Sequence, residues 1–293
     1  MKRLVVTADD FGAAPEVNEA VERAYREGAL TAASLMVCGA AAADAVTRAK
    51  TMPGLRVGLH LVLVEERPAL SPEDIPDLVD ARGRLRADMA RAGATIFLLP
   101  RARRQLEAEM RAQFEAFRAT GLALDHVNAH KHFHLHPTIA SLMMRLGRDF
   151  GMRAARAPCE PRPALGDARP PAGPESTLAR LFSRALRRRL RARGFLVPDA
   201  VFGLAWSGAM TASRLKTILK ALPEGLSEIY MHPATGPYEG SAPGYRYAEE
   251  LMALTDRSVL ELVNDGGIRR GGFADFAPSL PEARLTPPSG AAP

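Results

Sequence analysis

Residues 4–63 read LVVTADDFGAAPEVNEAVERAYREGALTAASLMVCGAAAADAVTRAKTMPGLRVGLHLVL, and this stretch decides the fold. Three short apolar runs, LVVTAD, AASLMVC and VGLHLVL, alternate with two helix-like segments at 15–26 and 40–50. Alternation of this kind is typical of βαβ units that build a parallel sheet. The stretch therefore predicts an α/β fold.

The alternation continues toward the C-terminus. We predict strands at LDHVNAH (124–130), MRAARAP (152–158) and SEIYMHP (227–233). Helices are predicted at 101–119, 137–150, 245–254 and 258–264. About seven strand-helix units in 293 residues favour a closed or nearly closed, irregular (βα) TIM-like barrel over an open sheet.

Two proline-rich segments interrupt this rhythm. Six prolines fall in 158–174 and five in 277–293, and neither composition favours regular structure. We therefore predict one barrel domain over 1–276, with a proline-rich insertion at 158–175, a basic helix at 176–193 and a disordered tail at 277–293. Residues 65–86 are long for a strand-to-helix loop and are expected to form a rim or lid.

The composition excludes several classes of protein. With 47% hydrophobic and 25% charged residues the chain is globular in composition, and its longest uncharged stretch, 28–43, is too short and polar for a membrane span. The apolar run at 4–6 is too short for a secretory signal. The net charge of +6 is concentrated in 180–193, which argues against a nucleic-acid-binding surface. Two cysteines without CxxC spacing indicate the reducing cytoplasm.

Adjacent carboxylates, Asp9 and Asp10, close the first predicted strand. Such a pair repels itself and is costly unless a cation or a proton relieves it. A divalent metal on one carboxylate would leave the other as a general base. The alternative is a solvated loop pair or a cap for the helix that opens near Pro15.

Histidines mark two further strand ends. His60 ends VGLH, where it is either a ligand or a structural hydrogen-bonding residue. The segment DHVNAHKHFHLHP (125–137) holds five of the seven histidines, and they would share one face if the strand ran that far. One ion cannot bind them all, so one or two should ligate while others serve acid–base chemistry, substrate binding or support. The alternative is a surface tract that binds metal adventitiously.

One Asp with two His would leave coordination positions open, as in catalytic sites, for polarising a carbonyl and activating water. His232 ends the strand EIYMH and could protonate a leaving amine. Arg156, in ARAP, could hold the free carboxylate ionised or contact substrate, the alternative being an ordinary surface arginine.

The ordered motifs ADDFG, GLH, DHVNAHKHFH, RAP and HP resemble those of the YdjC-like carbohydrate deacetylases over nearly the whole chain. The resemblance implies an irregular (βα) barrel related to that of polysaccharide deacetylases, and hydrolysis of the N-acetyl group of an amino sugar. It implies that Asp10, His60 and His130 bind one divalent metal ion, with Asp9 as base and His232 as acid. The family is usually described with Mg²⁺, whereas two imidazoles favour Zn²⁺.

We expect substrate contacts from His132, His134 and Arg156. Residues 201–219 and 222–235 resemble the hopanoid-biosynthesis-associated subgroup HpnK, which implies N-acetylglucosaminyl hopanoid as the substrate. Chito-oligosaccharides are the alternative, because other relatives act on chitobiose-type sugars. Where such relatives often carry Asp and His, this chain has Asn128 and Lys131, which leaves the metal site intact. A metal-dependent phosphoesterase and a metal-storage protein are the rival functions.

The predicted helix at 176–193 combines seven arginines with five apolar residues at helical spacing, Leu178, Leu181, Phe182, Leu186 and Leu190. It could lie peripherally on the inner face of the cytoplasmic membrane, or pack on the barrel with a solvated arginine face. The partners expected are therefore an amino sugar, lipid-linked in the hopanoid case, a membrane surface and a second copy in a homodimer. No nucleic-acid partner is expected.

Overall fold

The computed structural model describes residues 1–166, 170, 174–265 and 267–277. Within these residues seven strands, each parallel to its neighbours, form one sheet. They are β1 (Lys2–Phe11), β2 (Ala32–Leu35), β3 (Arg56–Leu61), β4 (Val127–Ala129), β5 (Ala200–Phe202), β6 (Gly225–Met231) and β7 (Ile268–Arg270).

The helices of the described residues follow the strands in sequence. They are α1 (Pro15–Glu27), α2 (Ala42–Lys50), α3 (Met89–Leu98), α4 (Pro100–Ala119), α5 (Pro137–Asp149), α6 (Pro174–Arg191), α7 (Ala212–Lys220), α8 (Tyr247–Thr255) and α9 (Arg257–Asp265). The predicted helices correspond to α1, α2, α4, α5, α6, α8 and α9, with ends that differ by a few residues. Helices α3 and α7 were not predicted.

The sheet closes into a ring. Its strand order is β4-β3-β2-β1-β6-β5, and the extended segment 153–159 lies between β4 and the residues around β5. Backbone hydrogen bonds of 3.0 to 3.1 Å join both sides of this segment: Val127 N to Ala154 O, Ala155 N to Leu196 O, and Val201 N to Cys159 O. The predicted irregular barrel is therefore confirmed, although the strand expected at 152–158 forms only isolated bridges. Strand β7, which was not predicted, pairs with the start of β1.

Burial follows the predicted periodicity. In α1 the buried residues Val17, Ala20, Val21 and Ala24 recur at helical spacing and face the barrel. Strand β1 is instead buried from Leu4 to Phe11 without alternation. A strand between two parallel neighbours is covered on both faces, which explains its continuous apolar run.

The basic helix and the tail are only partly described. Helix α6 begins two residues before the predicted start, and a short 3₁₀ helix, Arg162–Leu165, lies within the proline-rich insertion. Residues 278–293, most of the tail predicted to be disordered, lie outside the described residues. No helix in the described ranges is both long enough and apolar enough to cross a bilayer.

The stretch 62–88, described throughout, contains no helix or strand apart from a bridge between Val79 and Leu85. Helix α4 anchors it from beneath. The buried Glu109 carboxylate accepts hydrogen bonds from the backbone N–H groups of Ala69 and Leu70, at 2.7 and 3.0 Å. This carboxylate ties the rim predicted at 65–86 to the barrel wall.

Replacing Glu109 by Ala should therefore lower the free energy of unfolding by about 2–4 kcal/mol, because two backbone N–H groups of the rim lose a buried, charged acceptor. Hydrogen exchange should accelerate within 65–86 and remain unchanged in β1. Glu115→Ala, at an exposed position on the same helix, is the matched control. Equal exchange rates in the Glu109→Ala variant and the wild type would show that the rim is held by other contacts.

Candidate active site

Polar side chains from four strands meet at the C-terminal edge of the barrel. A cleft of about 850 Å³ opens there, and its walls include Asp9, Asp10, His60, His130 and His232. Parallel strands bring their carboxyl ends to one edge, which is where (βα) barrels place their binding sites. Five of the residues singled out from the sequence are thus brought together.

Asp9 and Asp10 both face this cleft, although neighbouring residues of a regular strand point to opposite sides. The register of β1 shifts between Ala8 and Phe11, and Asp10 has a φ of 60°. A positive φ is unfavourable for a residue other than glycine and persists only where surrounding contacts hold it. The irregularity turns the second carboxylate into the site beside the first.

Three ligand atoms converge near Asp10. His60 Nε2 lies 3.2 Å and His130 Nδ1 lies 3.1 Å from Asp10 Oδ1, and the two ring nitrogens are 3.4 Å apart. The metal-ligand atoms that these three residues offer all lie within 4.8 Å of one another. Such a cluster of lone pairs fits a divalent cation held by one carboxylate and two imidazoles, with open positions toward the cleft.

Asn128 on β4 sets the orientation of His60. Its Nδ2 donates to Asp9 Oδ1 at 3.1 Å and to Ser34 Oγ at 2.9 Å, which directs its Oδ1 toward His60 Nδ1 at 2.6 Å. Because an amide oxygen only accepts, the proton of His60 resides on Nδ1. The Nε2 lone pair is therefore free for a metal ion, an arrangement typical of ligating histidines.

A buried guanidinium supports Asp9 from behind. Arg156 donates to both Asp9 oxygens, at 2.5 and 3.0 Å, and to Glu228 Oε1 at 2.6 Å. Burial alone would raise the pKa of Asp9, but the charge of Arg156 and its hydrogen bonds hold that pKa far below its usual range. Asp9 is thus a fixed carboxylate at neutral pH.

His130 occupies the cleft wall between two acidic residues. Its Nδ1 faces Asp10, and its Nε2 lies 3.9 Å from Glu65 Oε2, which also pairs with Lys131. Burial disfavours the imidazolium, but the Asp10 and Glu65 carboxylates outweigh it, so that the pKa of His130 is raised. In the absence of a cation, a proton would compensate part of this negative charge.

The histidine tract does not continue as a strand. Strand β4 ends at Ala129, and residues 130–135 form a 3₁₀ turn in which Lys131 and His132 have φ values of 52° and 54°. The five histidines therefore do not share a face. His126 is buried between Ser34 and Asp125, and His136 packs on Phe97, outside the cleft.

The three residues expected to contact substrate lie in two environments. His132 lines the cleft, with its Nε2 3.0 Å from the Tyr230 hydroxyl, and burial together with the Arg156 charge lowers its pKa well below the usual value. Arg156 and His134 are fully buried and do not line the cleft. His134 Nε2 donates to the Arg156 carbonyl at 3.0 Å, and burial lowers the pKa of His134 to about 3. Two roles were expected for Arg156, contact with substrate or with the carboxylate that does not bind metal. The structure shows the guanidinium in contact with that carboxylate, Asp9.

His232 directly follows β6. Its ring lies between those of Tyr230 and Tyr245, with centroids 5.7 and 5.2 Å away. Its backbone N–H donates to Glu250, whose pKa burial raises. Within the described part of the chain, His232 Nδ1 has no hydrogen-bond partner.

Sequence reasoning did not identify several residues of this site. Asn128, two positions before His130 on the same strand face, was noted only as a departure from relatives, and its spacing could have assigned it. Glu228, a charge within the apolar strand SEIYM, was a second available signal. Glu65 and Tyr245 come from loops and carried no such signal.

A solved structure shares this fold, and curated relatives are similar to this chain in sequence. The crystal structure of a candidate cellobiose-phosphate cleavage protein from Enterococcus faecalis V583 superposes with a TM-score of 0.76 at 22% identity, covering 94% of this chain and 99% of the other, which shows the fold. Carbohydrate deacetylases from Geobacillus stearothermophilus and Homo sapiens are 29% and 31% identical. Their matches cover 93% and 90% of this chain, and 97% and 88% of theirs.

Other matches are more local. Carbohydrate deacetylases from Brevibacillus brevis and Oceanobacillus iheyensis, 38% and 34% identical, match half of this chain, and the matches span 56% and 62% of those proteins. A family model described as YdjC-like protein matches residues 3–265. The chain therefore belongs to the YdjC-like protein family.

Proposed function

We propose that this protein is a metal-dependent carbohydrate deacetylase that hydrolyses the N-acetyl group of an amino sugar. Its family and the name shared by its curated relatives support the reaction class. The observation that carries the proposal is the fixed carboxylate of Asp9 beside the Asp10–His60–His130 cluster. Asp9 is kept ionised and can accept a proton, and the adjacent Asp10 is positioned to bind a cation.

Asp10, His60 and His130 would bind the ion, Mg²⁺ or Zn²⁺. Two imidazole nitrogens favour Zn²⁺, while the carboxylate accommodates either metal. When bound, the ion supplies Lewis-acid polarisation of the acetyl carbonyl and lowers the pKa of a nearby water. The protein supplies orientation, because Asn128 fixes the His60 tautomer and the bulge in β1 aims Asp10.

The chain's own groups move the protons. Asp9 accepts a proton as the water oxygen attacks the acetyl carbon, and His232 donates a proton to the nitrogen as the carbon–nitrogen bond breaks. Acetic acid and a free amine form, and the proton that the acid releases on becoming acetate restores His232. Because Arg156 stabilises the ionised form of Asp9, the proton does not remain there, and its transfer to the more basic amine product is favourable.

Substrate contacts are assigned by exposure. His132 and the aromatic wall of Tyr238 and Tyr245, both half-buried, line the cleft, where ring faces can pack against a sugar. Arg156 and His134 act from behind this wall, since both are fully buried. In this proposal they position Asp9 rather than touch the sugar.

For the substrate itself we favour N-acetylglucosaminyl hopanoid, on the resemblance of residues 201–219 and 222–235 to the hopanoid-associated subgroup. Chito-oligosaccharides are the alternative. A lipid-linked substrate would place the protein in the cytoplasm at the inner face of the membrane, with contact through the basic helix. The homodimer remains a prediction.

Replacing His130 by Ala should abolish tight binding of the single metal ion and lower kcat/KM for acetate release by at least about 100-fold, because the cation loses one of three ligands. Acetate and free amine would be followed with N-acetylglucosaminyl hopanoid and with diacetylchitobiose, before and after chelation. His136→Ala, in the same tract but outside the cleft, is the matched control.

Three outcomes would contradict the proposal. Full activity of the His130→Ala variant would remove the site assignment. Phosphate release from phosphoesters, without acetate release from either sugar, would favour the rival esterase. Several weakly bound ions without turnover of either substrate would favour metal storage.

The acid limb of the pH profile should depend on metal concentration. The depressed pKa of Asp9 keeps it ionised in mild acid, whereas the raised pKa of His130 makes this ligand the group that protons take first as the pH falls. Protons and metal then compete for His130, so raising the metal concentration should move the limb of kcat/KM to lower pH. A limb that stays fixed would indicate titration of a group that does not bind metal.

Replacing Asn128 by Ala should weaken metal binding by about 10–100-fold, because His60 loses the acceptor that fixes its tautomer. Asn128→Asp keeps an acceptor for the His60 Nδ1 proton and should retain most of the affinity. Calorimetric titration with Zn²⁺ measures both variants. Equal affinity in the Ala variant and the wild type would show that His60 is oriented by packing alone.

A further inference from the structure

Large apolar side chains are exposed in two segments on one side of the barrel. Of the eight such side chains among the described residues, six lie in 97–99 or 178–182 and are 40 to 68% exposed: Phe97, Leu98, Leu99, Leu178, Leu181 and Phe182. Single exposed apolar residues are ordinary, whereas two groups of three are typical of an interaction surface.

The first group lies beyond the C-terminal end of β3. Gln113 of α4 hydrogen-bonds to both the N–H and the carbonyl of Val62, the residue after β3, at 2.9 and 2.6 Å. The preceding 13 residues of α4 run back past the strand end, a rise of about 20 Å. Residues 97–99 come immediately before α4. They therefore lie on the same side of the barrel as the cleft.

The second group occupies the first turns of α6. Near the other end of this helix, Arg187 donates to the Asp199 carbonyl at 2.9 Å, just before β5 begins. Its N-terminal half therefore points toward the C-terminal edge, with Leu178 about 13 Å further along the helix axis than Arg187. Phe97 and helix α6 both lie beside α5, because Phe97 packs on His136 just before α5 and Arg189 of α6 hydrogen-bonds to Ser141 near the start of α5.

Helix α6 presents two different apolar faces. Ser183, Leu186 and Leu190 are buried against the barrel, whereas Leu178 and Leu181 point away from it. The sequence left two arrangements open for this helix, packing on the barrel or lying on a membrane. The two halves of α6 differ in this respect. The C-terminal half packs on the barrel, and the N-terminal half has an apolar surface that the described residues leave uncovered.

A row of positive charge borders the exposed face. Arg180, Arg184 and Arg188 recur every four residues and are exposed, and within the described ranges none of them forms an ion pair. The only acidic residue of α6 is Glu175. Two copies that met through this face would oppose their arginine rows, which disfavours self-association there.

From these observations we infer that residues 97–99 and 178–184 form a docking surface for an anionic lipid bilayer, on the side of the barrel where the cleft opens. Apolar side chains would enter the headgroup region while arginines contact lipid phosphates. The surface does not require the proposed reaction. Its position would present the cleft to a sugar borne on a lipid.

Cosedimentation of the full chain with vesicles tests this surface. The vesicles would be phosphatidylcholine alone or with about 30% phosphatidylglycerol, the anionic component that the arginines should select. The wild type should bind only the anionic vesicles. Replacing Leu178, Leu181 and Phe182 by Ser, or Arg180 and Arg184 by Glu, should each weaken binding by more than about ten-fold.

Serine substitution at Phe97 and Leu98 tests the second segment and should produce a similar loss. Met252→Ser, an equally exposed apolar position on α8, is the matched control and should bind like the wild type. Acetate release from a soluble N-acetyl sugar is measured in parallel, so that loss of folding or failure of the proposed reaction is distinguished from loss of docking. Absence of wild-type binding to anionic vesicles, or serine variants that convert a dimer to a monomer without changing vesicle binding, would overturn the inference.

Discussion

The fully buried guanidinium of Arg156 is the interaction on which the site depends. Two buried carboxylates, Asp9 on β1 and Glu228 on β6, face this guanidinium, which donates hydrogen bonds to both. Arg156 belongs to the segment 153–159, which joins the two ends of the strand order. The same short segment therefore closes the ring and supplies the positive charge that its buried acidic side chains share.

The ion pair of Asp9 with Arg156 separates the roles of the adjacent acids Asp9 and Asp10. Asp9 is paired with a guanidinium from behind, whereas Asp10 faces the cleft next to the two imidazoles. The positive φ of Asp10 is the conformational cost of having both carboxylates on one side. Asn128 then links the two halves of the site, since its amide contacts Asp9 with one end and His60 with the other.

The sequence could predict the barrel and most of the residues at its C-terminal edge, because strand ends follow from hydrophobic pattern and parallel strands end together. It could not predict the path of the chain after Ala129. Alternation placed the histidines at 130, 132 and 134 on one face, but the chain turns into a 3₁₀ conformation with two left-handed residues. That turn separates His132, which lines the cleft, from the fully buried His134. The burial of Arg156 was equally hidden, since an arginine in a short extended segment is usually at the surface.

The short strands explain why the walls of the cleft come from elsewhere. Strands β4 and β5 have three residues each, so they set the position of reactive groups at the floor but cannot enclose a sugar. Enclosure falls to the stretch 62–88, to the loop that carries Tyr238 and Tyr245, and to helices that extend past the strand ends. The strand ends can therefore keep one chemistry while the walls change, because the two are built from different parts of the chain. Resemblance in the strand-end motifs accordingly bears on the reaction more directly than on the molecule to which the sugar is attached.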